Sequence, residues 1–184
     1  MHRTIIAALV PALALALALA LALAAGPSLA QSITLKGASG QTATITAAEI
    51  AALPRTSFTL DAHGTKHVFA GPLLIDVLAK VGAQKGTALR GPGLAQAVVV
   101  TASDGYRVVY GLAEADPGTR PNRIILADRA DGKPMDAKDG PFRLVVEGDL
   151  RPARAVRMVG DIEVVNLSRP ADAKASPHPQ APTQ

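Results

Sequence analysis

Hydrophobic residues are distributed unevenly along this chain, and the densest run comes first. Residues 5–25 are rich in Ala and Leu, follow a short basic start and end at the helix-breaking pair Gly26-Pro27. The small side chains of Ser28 and Ala30 suit the −3 and −1 positions of a signal peptidase site. We therefore expect residues 1–30 to be a signal peptide that is cleaved after Ala30, leaving a periplasmic or otherwise exported chain.

A retained membrane anchor is the alternative interpretation of the same segment, because it is long enough to cross the hydrocarbon core of a bilayer. Cleavage is favoured because alternate residues are Ala, which contributes little hydrophobic energy, and because no basic stop-transfer cluster follows. A membrane contact is therefore expected only through an uncleaved signal.

Between residues 31 and 167, short apolar runs alternate with turn-forming residues, which is typical of one folded domain. Gly-, Asp-Gly- and Pro-containing segments separate the runs and indicate turns and hairpins. The apolar or alternating runs predict strands at residues 33–35, 42–45, 56–60, 66–69, 97–101, 106–110, 124–127, 142–146, 155–159 and 162–165.

Two segments have the spacing of short helices. Thr46 and Glu49 form a capping-box pattern, which predicts a helix that runs to about Leu53 and stops at Pro54. Apolar residues recur at helical spacing over residues 73–81, and the following Gly82 suits a helix end. The expected class is therefore an α+β domain with mixed β-sheets and two or three short helices.

Residues 168–184 consist mostly of Pro, Ala, Ser, Gln and Lys, so we expect a disordered tail.

Composition excludes several classes of function. The chain has no cysteine, which excludes disulfides, thiolate metal sites and cysteine nucleophiles. It has only two Tyr, three Phe and no Trp, and its net charge of +4 falls to +3 once Arg3 is removed with the signal. Neither stacking aromatics nor a basic field is present, so a nucleic-acid partner is not expected.

One predicted hairpin carries residue types that bind metals. If its turn is at His63-Gly64, Asp61 lies before the turn and His67 lies after it, so the three side chains are candidates for a zinc or copper site. A solvated polar loop is the alternative.

A second group of polar residues is rich in arginine. Arg143, Arg151, Arg154 and Arg157 suit phosphate or carboxylate recognition. Because side chains alternate along a strand, we expect Arg154 and Arg157 to point to opposite faces. Ion pairs with Glu147, Asp149 and Asp161 are the alternative use of these arginines.

The pair Asp104-Gly105 predicts a type I′ turn that leads into a strand tyrosine, Tyr106.

Five short motifs follow one another along the folded part of the chain. They are Gly71-Pro-Leu-Leu-Ile-Asp76-Val-Leu78, Val100-Thr-Ala-Ser-Asp104-Gly105-Tyr106, Leu126-Ala-Asp-Arg-Ala-Asp-Gly132-Lys-Pro134-Met, Asp139-Gly140-Pro141-Phe-Arg143-Leu-Val-Val, and Arg154-Ala-Val-Arg157 with Ile162-Glu163-Val164. In type and order they resemble the sulfite-oxidase-like molybdopterin-binding domain, over about residues 33–167. The resemblance implies a mixed α+β fold around a molybdopterin cofactor, with oxidoreductase chemistry at molybdenum.

In catalytic members of this family, a cysteine after the strand equivalent to residues 56–60 ligates the metal. Residues 60–63 here read Leu-Asp-Ala-His, and the family's Trp after Arg154 is Ala155. The resemblance therefore implies an exported, non-catalytic binding or accessory module. The alternatives are a molybdopterin-dependent oxidoreductase with a non-cysteine ligand such as Asp61 or His63, and a small periplasmic metal-binding protein that uses His63 and His67.

A pterin or another small molecule would occupy a cleft formed by six residues, and no protein redox partner follows from the motifs. The six are Asp61, His63, Asp104, Tyr106, Arg143 and Arg154.

Overall fold

The chain forms three β-sheets and two short α-helices in the part that the structure, a computed structural model, describes, namely residues 31–62 and 64–168. The predicted signal peptide, His63 and residues 169–184 lie outside the described residues. The strands are β1 (Ser32–Lys36), β2 (Thr42–Thr46), β3 (Arg55–Ala62), β4 (Thr65–Pro72), β5 (Gln96–Ala102), β6 (Arg107–Gly111), β7 (Ile124–Ala127), β8 (Arg129–Ala130), β9 (Lys133–Pro134), β10 (Arg143–Val146) and β11 (Val159–Asn166).

The helices are short and most helical turns are of the 3₁₀ type. The α-helices are α1 (Ala47–Ala51) and α2 (Leu74–Leu78), and the 3₁₀ turns are Ala79–Val81, Gly86–Ala88, Gly91–Ala95, Leu112–Ala115 and Pro152–Arg154. Mixed sheets with few short helices confirm the expected α+β class.

The largest sheet has five strands in the order β2-β1-β11-β5-β6. β1 pairs with β11 in parallel, with Leu35 opposite Ile162, and the other neighbours are antiparallel. Strands from the two ends of the domain therefore lie side by side in one sheet.

A four-stranded sheet, β3-β4-β8-β9, forms the second layer. Its main hairpin pairs Phe58 with Phe69 and Leu60 with His67. Since paired residues share a face of the sheet, these four side chains lie on one side of the hairpin. Phe58, Leu60 and Phe69 are buried in a small apolar cluster.

The two-stranded sheet β7–β10 lies between two apolar clusters and is buried on both faces. Ile124 and Leu126 belong to the large core beside the five-stranded sheet, whereas Ile125 and Ala127 belong to the small cluster under the β3–β4 hairpin. All four side chains are fully buried. Because both faces are covered, the sequence of this strand is continuously apolar rather than alternating.

Both predicted helices are confirmed. Glu49 N donates to Thr46 Oγ1 at 3.3 Å and Thr46 N donates to Glu49 Oε2 at 2.8 Å, which completes the capping box. The second helix ends in the 3₁₀ turn Ala79–Val81, and Gly82 closes it at a left-handed φ of +82°.

The strand predicted over residues 155–159 is wrong. Pro152–Arg154 forms a 3₁₀ turn, and the segment after it stays irregular until β11 begins at Val159. Met158 adopts a left-handed φ of +48°, which an extended strand does not contain. The alternation argument for Arg154 and Arg157 therefore does not apply to this segment.

The predicted type I′ turn at Asp104-Gly105 is also wrong, because that turn needs a positive φ at both central residues. Only Gly105 is left-handed, at +86°. Ala102 O accepts from Gly105 N at 3.0 Å, and Ala102 N donates to Tyr106 O at 2.8 Å. These bonds close a three-residue loop, a type I turn followed by a left-handed glycine.

A second Asp-Gly pair does form the two-residue turn. Asp131 and Gly132 have φ values of +51° and +76° and join β8 to β9. The sequence predicts a turn here but not the two short strands that flank it.

Within the described residues, no helix is both long and apolar enough to span a membrane.

Gly71 sets the distance between β4 and β7. A Cβ at this position would lie 2.1 Å from Leu126 O and 2.7 Å from the Ala127 Cα. We expect Gly71→Ala to lower the free energy of unfolding by about 1–3 kcal/mol, because the layers would have to separate. Gly111→Ala is the matched control, since its nearest neighbour is Glu114 Cβ at 3.9 Å. Urea unfolding followed by circular dichroism measures both, and equal midpoints would contradict this account.

Candidate ligand-binding cleft

A cleft of about 750 Å³ lies where the β3–β4 and β8–β9 hairpins meet the β5–β6 turn and the loop before β10. Clefts of roughly this size hold small organic ligands. The polar and charged side chains that line it are His67, Asp104, Tyr106, Asp131, Lys133, Asp136, Asp139, Arg143 and Arg157.

One wall of the cleft is fixed by a histidine–aspartate pair. His67 Nδ1 lies 2.7 Å from Asp131 Oδ2, and Val68 N donates to Asp131 Oδ1 at 2.8 Å. The hydrogen bond with His67, followed by the one from Val68, holds the pKa of Asp131 below its ordinary value. The pair ties the β8–β9 turn to β4.

Arg143 forms the base of the cleft. It begins β10 on the same face as Val145, and its guanidinium lies over the Phe69 ring at 5.1 Å. Nη1 donates to Asp139 Oδ2 at 2.6 Å, while the buried Nε has no hydrogen-bond acceptor among the described residues. The side chain is 12% exposed, so this donor is held inside the protein without a partner.

Arg157 enters the cleft from the irregular segment before β11. Its Nη1 lies 3.4 Å from Asp139 Oδ1, and half of its side chain is exposed. Met158 N donates to Asp139 O at 3.1 Å, and Ser103 N donates to Met158 O at 2.9 Å. These two bonds join the β5–β6 turn, the Arg157 segment and the Asp139 loop into one base.

Asp104 and Tyr106, from the β5–β6 turn, also line the cleft. Asp104 Oδ1 accepts from Tyr106 N at 2.9 Å, which is the internal bond of an Asx turn. Tyr106 OH donates to Ala153 O at 2.6 Å. This bond fixes the ring, which is 49% exposed, at the rim of the cleft.

The cleft is not a basic pocket. Four carboxylates line it, those of Asp104, Asp131, Asp136 and Asp139, against three cations. With His67 neutral the lining carries one net negative charge, and with His67 protonated it carries none.

Of the residues predicted to form the cleft, Asp104, Tyr106 and Arg143 line it, and so does His67 from the predicted metal pair. His63 lies outside the described residues.

Asp61 is not in the cleft, which corrects the sequence prediction. Asp61 pairs with Lys66, one position away from the Leu60–His67 pair, so its side chain is on the opposite face of the hairpin from His67. Its Oδ1 accepts from Gly64 N at 2.8 Å. The proposed convergence of Asp61 and His67 on one metal is therefore wrong, and no group of three metal-binding side chains occurs among residues 31–62 and 64–168.

Arg154 is the second correction, because it holds the fold together outside the cleft. It donates to Asp149 through Nε at 2.9 Å and Nη2 at 2.6 Å, and to Glu114 through Nη1 at 2.7 Å. Its guanidinium lies 5.3 Å from the centre of the Tyr110 ring, and the buried Tyr110 hydroxyl donates to Arg154 O. These carboxylates raise the pKa of Arg154, and burial raises that of Tyr110.

Ion pairs with Glu147, Asp149 and Asp161 were the alternative use of the arginines. The pair between Arg154 and Asp149 is confirmed. Glu147 instead binds Arg123, through Oε1 and Nη2 at 2.5 Å. Asp161 makes no ion pair in the described part of the chain.

Sequence reasoning did not select Asp131, Lys133, Asp136 or Asp139 for the site. Their signal was present as two Asp-Gly turns at 131–132 and 139–140 inside the motif region. A turn assignment alone does not reveal that both segments line the same cleft.

No protein-family model matches the chain, and no curated protein matches it. Among solved structures it is similar to the crystal structure of the sulfane dehydrogenase SoxCD from Paracoccus pantotrophus, at 16% identity and a TM-score of 0.58. The match covers 73% of this chain and 38% of that one. At this identity the likeness establishes a distant fold relationship to a dehydrogenase and nothing finer.

The cofactor implied by the family resemblance does not fit the residues of this cleft. The chain offers no thiolate to a metal, and Asp61, from the segment where the family has its cysteine, lies on the far face of the hairpin. Arg143 and Arg157 share Asp139 as their acceptor. A pterin phosphate would therefore enter a cleft in which four carboxylates already face three cations.

Arg154 and Arg157 give a matched pair of stability variants. Arg154→Gln is expected to lower the free energy of unfolding by about 1–2 kcal/mol, because two carboxylates and the Tyr110 ring lose their cation. Arg157→Gln, whose single contact is long and exposed, is expected to change it by less than about 0.5 kcal/mol. Chemical denaturation of both variants measures this, and an Arg157 effect as large as that of Arg154 would refute the assignment.

Asp131→Asn tests the histidine–aspartate pair through pH. A lowered folded-state pKa contributes stability above the unfolded value of about 3.9 and loses it as pH falls through the folded value. Asn tolerates the left-handed turn position but has no charge. Urea midpoints measured between about pH 2 and pH 7 should therefore fall less steeply in acid for Asp131→Asn than for the wild type. Parallel acid profiles would contradict the pairing.

Proposed function

We propose that this chain is an exported small-molecule-binding domain with an oxidoreductase-like fold that does not perform thiolate-supported molybdenum chemistry. The observation that carries the proposal is the 750 Å³ cleft with a base of Arg143, Arg157 and Asp139, in a chain that has no cysteine. The fold relationship to a sulfane dehydrogenase supports the oxidoreductase-like fold. The absence of a cysteine supports the lack of thiolate-supported molybdenum chemistry.

The cleft has the rigidity that a binding site needs. Arg143 is held from one side by Phe69 and from the other by Asp139. Tyr106 is fixed through Ala153 O. Because these side chains are positioned before a ligand arrives, binding does not have to order them.

The donor set supports the proposed lack of thiolate-supported catalysis. Asp61 is engaged by its own turn and directed away from the cleft. The carboxylates of Asp104, Asp131 and Asp136 accept hydrogen bonds from His67 or from backbone N–H groups, and that of Asp139 binds two arginines. In this arrangement the residues bind and orient a ligand and offer no sulfur to a metal.

Analysis of the protein purified from the periplasm of an expressing cell tests this function. We expect the intact mass to be that of a chain beginning at Gln31. Denaturation should release a small organic molecule, and neither molybdenum nor pterin should be present in stoichiometric amount. Metal analysis, fluorescence of the oxidised extract and native mass spectrometry measure these quantities. Stoichiometric molybdopterin would overturn the proposal in favour of an oxidoreductase with a non-cysteine ligand.

A second measurement covers the case in which the ligand is lost during purification. Thermal denaturation is repeated with a library of small metabolites, since a bound ligand stabilises the folded state. Arg157→Gln should reduce any shift, whereas Asp61→Asn, on the far face of the hairpin, should not. No released molecule and no shift with any compound would refute a binding function.

A further inference from the structure

We propose that the ligand of this cleft is a small zwitterion, with one carboxylate and one ammonium group, rather than an anion. This inference rests on the proposed binding function and specifies its ligand class. It follows from how the charges that line the cleft are paired and unpaired.

The two arginines that line the cleft share a single carboxylate. Arg143 and Arg157 direct their guanidinium groups to the same carboxylate, Asp139. Two positive charges thus share one negative charge. Arg157 is half exposed, and its one hydrogen bond among the described residues is 3.4 Å long. A ligand carboxylate supplies the missing negative charge and accepts hydrogen bonds from a guanidinium fork.

Two of the carboxylates that line the cleft have no cation beside them. Asp104 and Asp136 each use Oδ1 to accept backbone N–H groups of their own loops, from Tyr106 and from Lys138 and Asp139. Within the described residues, neither carboxylate lies within ion-pair distance of a cation, and neither Oδ2 has a hydrogen-bond donor. The half-exposed Tyr106 ring stands beside Asp104. A carboxylate next to an aromatic face favours an ammonium group.

Backbone hydrogen bonds connect the residues that carry these charges. Ser103 N, next to Asp104, donates to Met158 O, and Met158 N, next to Arg157, donates to Asp139 O. Asp104, Arg157 and Asp139 therefore belong to one connected part of the cleft rather than to independent loops. A ligand that carries both charges can meet cations and carboxylates there without a rearrangement of the chain.

The formal charges that line the cleft favour a zwitterion over an anion. Four carboxylates face three cations in the cleft, so an anion adds to an existing negative excess, while a zwitterion leaves the sum unchanged. The ligand carboxylate then lies next to an arginine and the ligand ammonium group next to a carboxylate, which gives selectivity as well as affinity.

Matched probes separate these cases in calorimetric titrations of the mature chain at neutral pH and low salt. The probes are leucine, 4-methylpentanoate and isopentylamine, which share a skeleton, and 6-aminohexanoate, hexanoate and hexylamine, in which the charges are further apart. In at least one set, we expect the zwitterion to bind about tenfold more tightly than either singly charged analogue.

Charge variants test which side chains bind the ammonium group and which bind the carboxylate. Asp104→Asn keeps an oxygen that can accept from Tyr106 N and should weaken zwitterion binding about tenfold without changing carboxylate binding. Arg157→Gln should weaken the zwitterion and the carboxylate alike. Asp61→Asn makes the same charge change on the far face of the hairpin and should alter neither.

Equal or tighter binding of the carboxylate alone would overturn the zwitterion inference and leave the binding function standing. The inference would also fail if the molecule released from the purified protein were purely anionic. If neither probe set binds while the protein releases some other molecule, the ligand class is wrong but the function is not.

Discussion

The rest of the structure depends on the double burial of the β7–β10 pair. Ile124 and Leu126 complete the large core, while Ile125 and Ala127 support the β3–β4 hairpin. Removing either layer would expose an apolar face, at a cost of about 25 cal/mol per Å². The hairpin is therefore fixed on the domain by apolar burial and by the close approach at Gly71. The cleft is formed at the open end of this arrangement.

Arg143 connects this packing to the cleft. It continues the face of Val145 beyond the last buried pair, so its guanidinium emerges where the small cluster ends, over Phe69. A cation so little exposed needs a negative partner. Asp139 supplies it and draws in Arg157 as well. The position of Arg143 in the cleft is therefore a consequence of where the apolar layers stop.

Local signals predicted most of the elements but not their details. The capping box at Thr46 and the continuous run of β7 are determined by neighbouring residues, and both were predicted correctly. The turns at Asp104-Gly105 and Asp131-Gly132 differ because turn type depends on the register of the flanking strands. Asp131 takes a positive φ, whereas Asp104 does not. The strand prediction for residues 155–159 failed for a similar reason. The left-handed Met158 is held by backbone hydrogen bonds to Asp139 and Ser103, which are distant in the sequence.

The candidate site was only partly predicted, because residue type and chain order do not determine which face a side chain occupies. A shift of one position along β3 separates Asp61 from His67, although both belong to the same hairpin. Arg154 and Arg157 are only three residues apart, yet one joins Glu114 to Asp149 and the other lines the cleft. The binding proposal therefore rests on the charged residues that line the cleft rather than on the fold, because burial fixes where Arg143 lies but not how many carboxylates surround it.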